Sequence, residues 1–155
     1  MPAIIRQALP SDLETIVLLR MRLFDDAAAL NGVGPDETIR AATIAYFRQA
    51  LQGGDCVTWV AEVAGQVVAI GSLVVFARPP YPGNAAGRDA YLLNMYTLPD
   101  HRGQGHARAI VRSALALARR RGYGKVWLHA TEAGRPLYRQ EGFLASADYM
   151  EWTAG

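Results

Sequence analysis

The stretch Arg102-Gly103-Gln104-Gly105-His106-Ala107 decides how this chain is read. Before it, Tyr91 to Thr97 has the composition of a strand. After it, His106 to Arg121 has the periodicity of a helix. A strand that passes through a glycine-rich turn into a helix leaves backbone N–H groups unpaired at the positive end of the helix dipole. Such a turn suits a phosphate or pyrophosphate, and glycine keeps a Cβ from holding the anion off the backbone. The turn therefore predicts a phosphorylated cofactor.

Three phosphate-binding patterns compete for it. A P-loop needs two glycines five apart followed by Lys and Ser or Thr, and neither Gly103 nor Gly105 is followed that way. A dinucleotide fingerprint needs a small residue where Arg108 stands, and it commonly opens its domain, whereas this turn lies two-thirds along the chain. The pattern [Q/R]-x-x-G-x-[G/A] is satisfied in full by Arg102, Gly105 and Ala107. It resembles the acetyl-CoA-binding motif of the GNAT N-acetyltransferase superfamily. A second segment, Gly134-Arg135-Pro136-Leu137-Tyr138-Arg139-Gln140-Glu141-Gly142-Phe143, is similar to the family's late motif and follows in the family's order. Ile5-Arg6-Gln7-Ala8 with Ser11-Asp12-Leu13 resembles its first strand and helix, and Leu93-Asn94-Met95-Tyr96-Thr97 the central strand of one branch.

Composition bounds the same reading. The chain has 155 residues, enough for one domain with a full core, read here as 1–155. It is 51% apolar and 19% charged, ordinary for a globular protein, and its net charge is +2. The basic residues are spread out, and Arg119-Arg120-Arg121 closes a helix, where cations suit the dipole. No stripe of interleaved basic and aromatic residues points to nucleic acid. The single cysteine, Cys56, excludes an intramolecular disulfide and fits a reducing compartment. With no signal-peptide pattern or apolar run long enough to span a membrane, a cytoplasmic protein is expected.

Ser11 with Glu14 reads as a capping box opening a helix to about Ala28. Asp36 or Gly34 caps a second helix to about Leu51, with Ile39, Ala42, Thr43, Tyr46, Phe47 and Ala50 on one face. Val57 to Val63 and Gln66 to Phe76 form a hairpin across Ala64-Gly65. Ala77 to Asp89 is a long loop, read either as substrate-facing or as a plain exposed connection. Lys125 to Ala130 reads as a strand, Gly134 to Glu141 as a short helix, and Phe143 to Thr153 as one or two final strands. Strands and helices mixed in this order suit a three-layer α+β domain, its mostly antiparallel mixed sheet flanked by helices. This is also the order of the GNAT fold.

The resemblance implies acetyl transfer from acetyl-CoA to an amine of a small molecule or peptide by direct attack. The alternative is a catalytically silent acetyl-CoA-binding sensor or partner module. The expected pyrophosphate cradle is the backbone of Gly103, Gln104, Gly105, His106, Ala107 and Arg108, with Arg102 opening the motif. The family's central strand bulges and splays from its neighbour, so Tyr96 and Thr97 would offer free backbone groups to pantetheine. Tyr138 takes the family's position for the group that meets the leaving sulfur. The family often carries Asn where Thr131 stands, so a cofactor contact there would be made differently. For the proton on the amine, Glu132 is the leading candidate, with Asp89, Asp100, His101 and His129 also within reach; ordered water could serve instead. Asn94, Tyr81 and Asp89 are expected toward the acceptor. No metal constellation stands out. Family members are often dimers, though no segment here marks an interface.

Overall fold

The computed structural model describes residues 2–155. Its strands are β1 (Ile4–Gln7), β2 (Cys56–Val63), β3 (Gln66–Ala77), β4 (Arg88–Thr97) and β5 (Val126–Trp127); its helices are α1 (Leu13–Asn31), α2 (Glu37–Ala50), α3 (His106–Arg121) and α4 (Arg135–Gln140). The strands form one sheet in chain order, antiparallel from β1 to β4, with β5 parallel to β4.

The strands β2 and β3 are nearly continuous apolar runs because both their faces are covered. Ala61, Ala69 and Leu73 pack with Ile110, Val111, Ala114 and Leu117 of α3. Their neighbours Val60 and Ile70 point the other way, to Ile16 and Leu19 of α1 and Phe47 of α2. The expected three layers are therefore α1 and α2, the sheet, and α3. The β2–β3 hairpin turns at Ala64 (φ 51°) and Gly65 (φ 80°), the left-handed pair that matches the twist of the flanking strands. Among the described residues no helix is long and apolar enough to cross a membrane.

Helix starts are set by Asp12 and Asp36. The Asp36 carboxylate accepts from Ile39 N–H at 2.9 Å. At α1 the expected Ser11–Glu14 box is replaced by Asp12, which accepts from Leu9 N–H at 2.7 Å and takes two bonds from Arg6 of β1. A short 3-10 turn, Pro10–Asp12, precedes the helix as a result.

Two further expectations are corrected at the chain's end. The strand expected over Lys125 to Ala130 is regular only at Val126–Trp127, and the tail after Phe143 forms no strand. Alternating apolar residues make a strand only where an edge accepts them. With β5 two residues long, the tail has no such edge. Leu144, Met150 and Trp152 are left in solvent at about nine-tenths exposure.

Candidate active site

The site is built where β4 leaves the sheet. β4 pairs with β5 only at Ala90 and Tyr91, so its edge from Leu92 to Thr97 has no partner on that side. On its other side the register with β3 slips: Ser72 faces Leu93 and Ile70 faces Tyr96. Asn94 and Met95 thus oppose the single residue Gly71, a β-bulge. Asn94 takes φ 60°, a conformation asparagine tolerates better than most side chains. Gly71 is the small residue the bulge requires, since a Cβ there would lie 2.5 Å from Met95 Sδ and 2.6 Å from Ile110 Cγ2. The bulge also turns Leu93 and Asn94 together onto the α1–α2 face, while Met95 packs on the α3 side.

Past Thr97 a 3-10 turn (Pro99–His101) leads into the glycine turn. Gly103 (φ 74°) and Gly105 (φ 87°) are both left-handed, and nothing lies within 4 Å of where their Cβ atoms would be. Among the described residues no hydrogen bond is made by the N–H groups of Gly103 to Arg108. Six free donors at a helix N-terminus, on a turn with no side chains in the way, fit a diphosphate in charge and in shape.

The side chains of the turn brace it. Arg102 Nε donates to Thr97 C=O at 2.9 Å, and its Nη2 meets Asp26 of α1 at 3.1 Å. Its guanidinium also lies 5.4 Å from the centre of the Tyr96 ring. Gln104 Nε2 reaches Asp100 C=O at 3.4 Å. His106 is buried and its Nε2 has no partner among the described residues. Arg108, whose backbone is expected in the cradle, turns its side chain to Gln140, which it bonds, and lies 3.3 Å from Glu141. Arg112 also bonds Glu141, at 2.9 Å, so α3 and the end of α4 are tied together beside the turn.

This tie sets Tyr138 of α4. Its ring packs edge-on against Phe143 at 5.8 Å and joins the α3-side core. Burial pushes its pKa up from 10.0, and among the described residues its hydroxyl bonds nothing. Thr131 is used by the turn ahead of α4: its hydroxyl accepts from Gly134 N–H at 3.1 Å.

Four expected residues fall elsewhere. Glu132 has a 92% exposed side chain 3.3 Å from Arg135, so it is a solvated ion pair and not a cleft base. Asp89 is fully buried and accepts from Arg78 (2.7 Å), Tyr81 (2.9 Å) and Asn84 (3.0 Å). Asp89 and Tyr81 therefore pin the loop between β3 and β4, and neither lines the cavity that Asn94 reaches. His129 bonds the hydroxyls of Tyr91 and Tyr149 beside Trp127.

Asn94 does reach a cavity, of about 500 Å³, between α1, α2 and the sheet. Its walls include Phe24, Ile39, Tyr46, Phe47, Val74 and Leu93. Arg20 of α1 also lines it and donates to Asn94 Oδ1 at 3.2 Å. Sequence reasoning passed over Arg20 and Ser72, which share this cavity with Cys56. The available signal was a charge interrupting an apolar helix stripe: Arg20 lies one turn from both Ile16 and Phe24.

The family model for the acetyltransferase (GNAT) family matches residues 22–143. The rat (Rattus norvegicus) protein N-acetyltransferase family 8 member 2 is 35% identical over 95 residues, 59% of this chain and 40% of that one. The chain thus spans about 40% of the length of this curated relative. A predicted acetyltransferase from Clostridium acetobutylicum, crystallised with acetyl-CoA, superposes with a TM-score of 0.86 at 30% identity, covering 97% of this chain and 96% of that one. A GCN5-related N-acetyltransferase from Ralstonia eutropha gives 0.80 at 30% identity, with 99% of each chain covered.

Proposed function

The chain belongs to the GNAT acetyltransferase family, and from that premise we propose that it transfers the acetyl group of acetyl-CoA to a primary amine of a small molecule or peptide. The observation that carries this reading is the run of unbonded N–H groups from Gly103 to Arg108 at the head of α3. These donors would hold the diphosphate of coenzyme A. The free edge of β4 beyond Tyr91 would take the amides of pantetheine as a strand takes its neighbour. The bound thioester supplies an activated acetyl carbonyl: the amine nitrogen forms the new C–N bond, the C–S bond breaks, and the proton lost by the amine balances the one gained by the thiol.

Residues of the chain do the rest. Backbone N–H groups at the bulge polarise the carbonyl oxygen as it gains charge. Tyr138 keeps its proton at neutral pH, since burial raises its pKa. A phenol with a pKa at or above about 10 is a weaker acid than a thiol, so it acts chiefly by hydrogen bonding to the sulfur as negative charge builds there. Glu132 is left out of this scheme by its exposure, and ordered water takes the proton from the amine.

The test is thiol release from acetyl-CoA across a panel of amines, with mass spectrometry of the products. Thiol release that requires an amine and yields the amide supports the reading. Tight binding of acetyl-CoA with no acetylated amine from any class would favour the silent binding module.

A further inference from the structure

The cavity beside the β4 bulge is apolar on most of its wall, yet it contains a guanidinium. Arg20 stands at its edge with its guanidinium 4.7 Å from the Phe24 ring centre and one hydrogen bond, to Asn94. No carboxylate lies within 4 Å of it among the described residues. The groups that act on it electrostatically are Tyr46 and Cys56, and neither is charged at neutral pH: burial pushes Tyr46 up to about 12 and raises the Cys56 thiol from 9.0. Burial lowers Arg20 itself, the direction expected of a cation removed from water without a counter-ion. Such a charge is costly unless something pairs with it.

Four other arginines of the chain differ. Arg102 faces Asp26, Arg108 and Arg112 face Glu141, and Arg78 faces Asp89. Arg20 has no carboxylate partner among the described residues and lines a cavity that Leu93 and Asn94, at the bulge, also line. An acceptor that enters there brings its amine to the bulge and its remaining surface against Phe24, Ile39, Tyr46 and Phe47.

We propose that Arg20 is the anion-binding residue of the acceptor site, and that the acceptor is a primary amine carrying a carboxylate on an apolar body, such as a free apolar amino acid. This rests on the acetyltransferase reading for the role of the amine; the carboxylate preference itself is a property of the cavity. A planar guanidinium can take a carboxylate through two parallel N–H donors, which a cationic polyamine could not use. A cationic body would meet repulsion from Arg20.

The experiment is calorimetric titration of the full chain, with and without coenzyme A, using N-acetylphenylalanine and N-acetylphenylalaninamide. These probes share the apolar body and differ in the carboxylate. The expected result is at least tenfold tighter binding of the acid. Arg20→Met should reduce that preference to less than threefold, and Arg20→Lys should retain part of it, with coenzyme A affinity unchanged in both. Equal binding of the two probes, binding of neither, or a preference that survives Arg20→Met would overturn the proposal. If Arg20→Met does not fold, the wild-type comparison and Arg20→Lys decide. Turnover of phenylalanine against phenethylamine is read separately: faster use of phenethylamine contradicts the carboxylate preference while sustaining acetyl transfer. Absence of coenzyme A binding would strike the acetyltransferase reading and leave the acid–amide comparison readable.

Discussion

At the scale of single residues, Tyr138 and the turn glycines separate chemistry from binding. Tyr138→Phe removes one hydroxyl and keeps the ring that packs on Phe143. It should lower kcat about 10- to 100-fold, at or below the usual range for a lost proton donor, with the dissociation constant for acetyl-CoA unchanged by calorimetry. Gly105→Ala has the opposite signature. A Cβ at φ 87° costs about 1–2 kcal/mol and shifts the turn, so affinity for acetyl-CoA should fall more than kcat at saturation. The two glycines and the tyrosine were legible in the sequence because each belongs to a local motif whose spacing survives without tertiary information. Arg20 was not, since its partner Asn94 is 74 residues away. Glu132 was misplaced for a related reason: nearness to the motif in sequence says nothing of direction, and its side chain leaves the molecule.

Among elements, β4 does the most to make a site. Its bulge depends on Gly71 across the ladder, so Gly71→Ala forces a Cβ against Met95 and Ile110. We expect a loss of about 1–3 kcal/mol in denaturant unfolding, typical of overpacking, together with weaker acetyl-CoA binding as β4 shifts. The loop after β3 makes a separate prediction. Asp89→Ala leaves Arg78, Tyr81 and Asn84 without their shared acceptor and should cost about 2–4 kcal/mol, with KM for the acceptor changed little in the variant that remains folded. A large rise in KM with unchanged stability would restore the loop to the acceptor site. The strands β2 and β3, α2 and all of α3 were readable from β-rich runs with a hairpin signal, caps and helical periodicity, because their local preferences agree with their surroundings. The bulge was not readable, since it is a relation between two strands. The tail failed for the converse reason: its residues favour a strand, but the two-residue β5 is too short an edge to receive it.

Across the whole molecule, the three layers divide the work. The α3 layer offers the donors for the diphosphate, the sheet offers a free edge, and the α1–α2 layer encloses the cavity of Arg20. The junction of β1 with α1 is held by Arg6, bound to Asp12 at 2.8 Å and to Glu62 at 2.9 Å. Hydrogen bonding from Arg6 holds the Asp12 carboxyl below its ordinary 3.8. A lowered folded value means the pair stabilises the protein fully above about pH 4, and loses this contribution as pH falls through the lowered value. The melting temperature of wild type should therefore exceed that of Asp12→Asn at pH 7, with the gap closing toward pH 2. A gap that stays constant with pH would show that the Asp12 charge contributes nothing. The three-layer arrangement was legible from the sequence because strands and helices mix in an order that suits it. The cavity was not, because its walls come from five elements distant in sequence. The most direct test of the central claim is a crystal structure of the chain with coenzyme A. The account predicts the diphosphate within hydrogen-bonding distance of the Gly103–Arg108 amides, the pantetheine along the free edge of β4, and the sulfur beside the Tyr138 hydroxyl. A diphosphate bound elsewhere, or a sulfur remote from Tyr138, would contradict it.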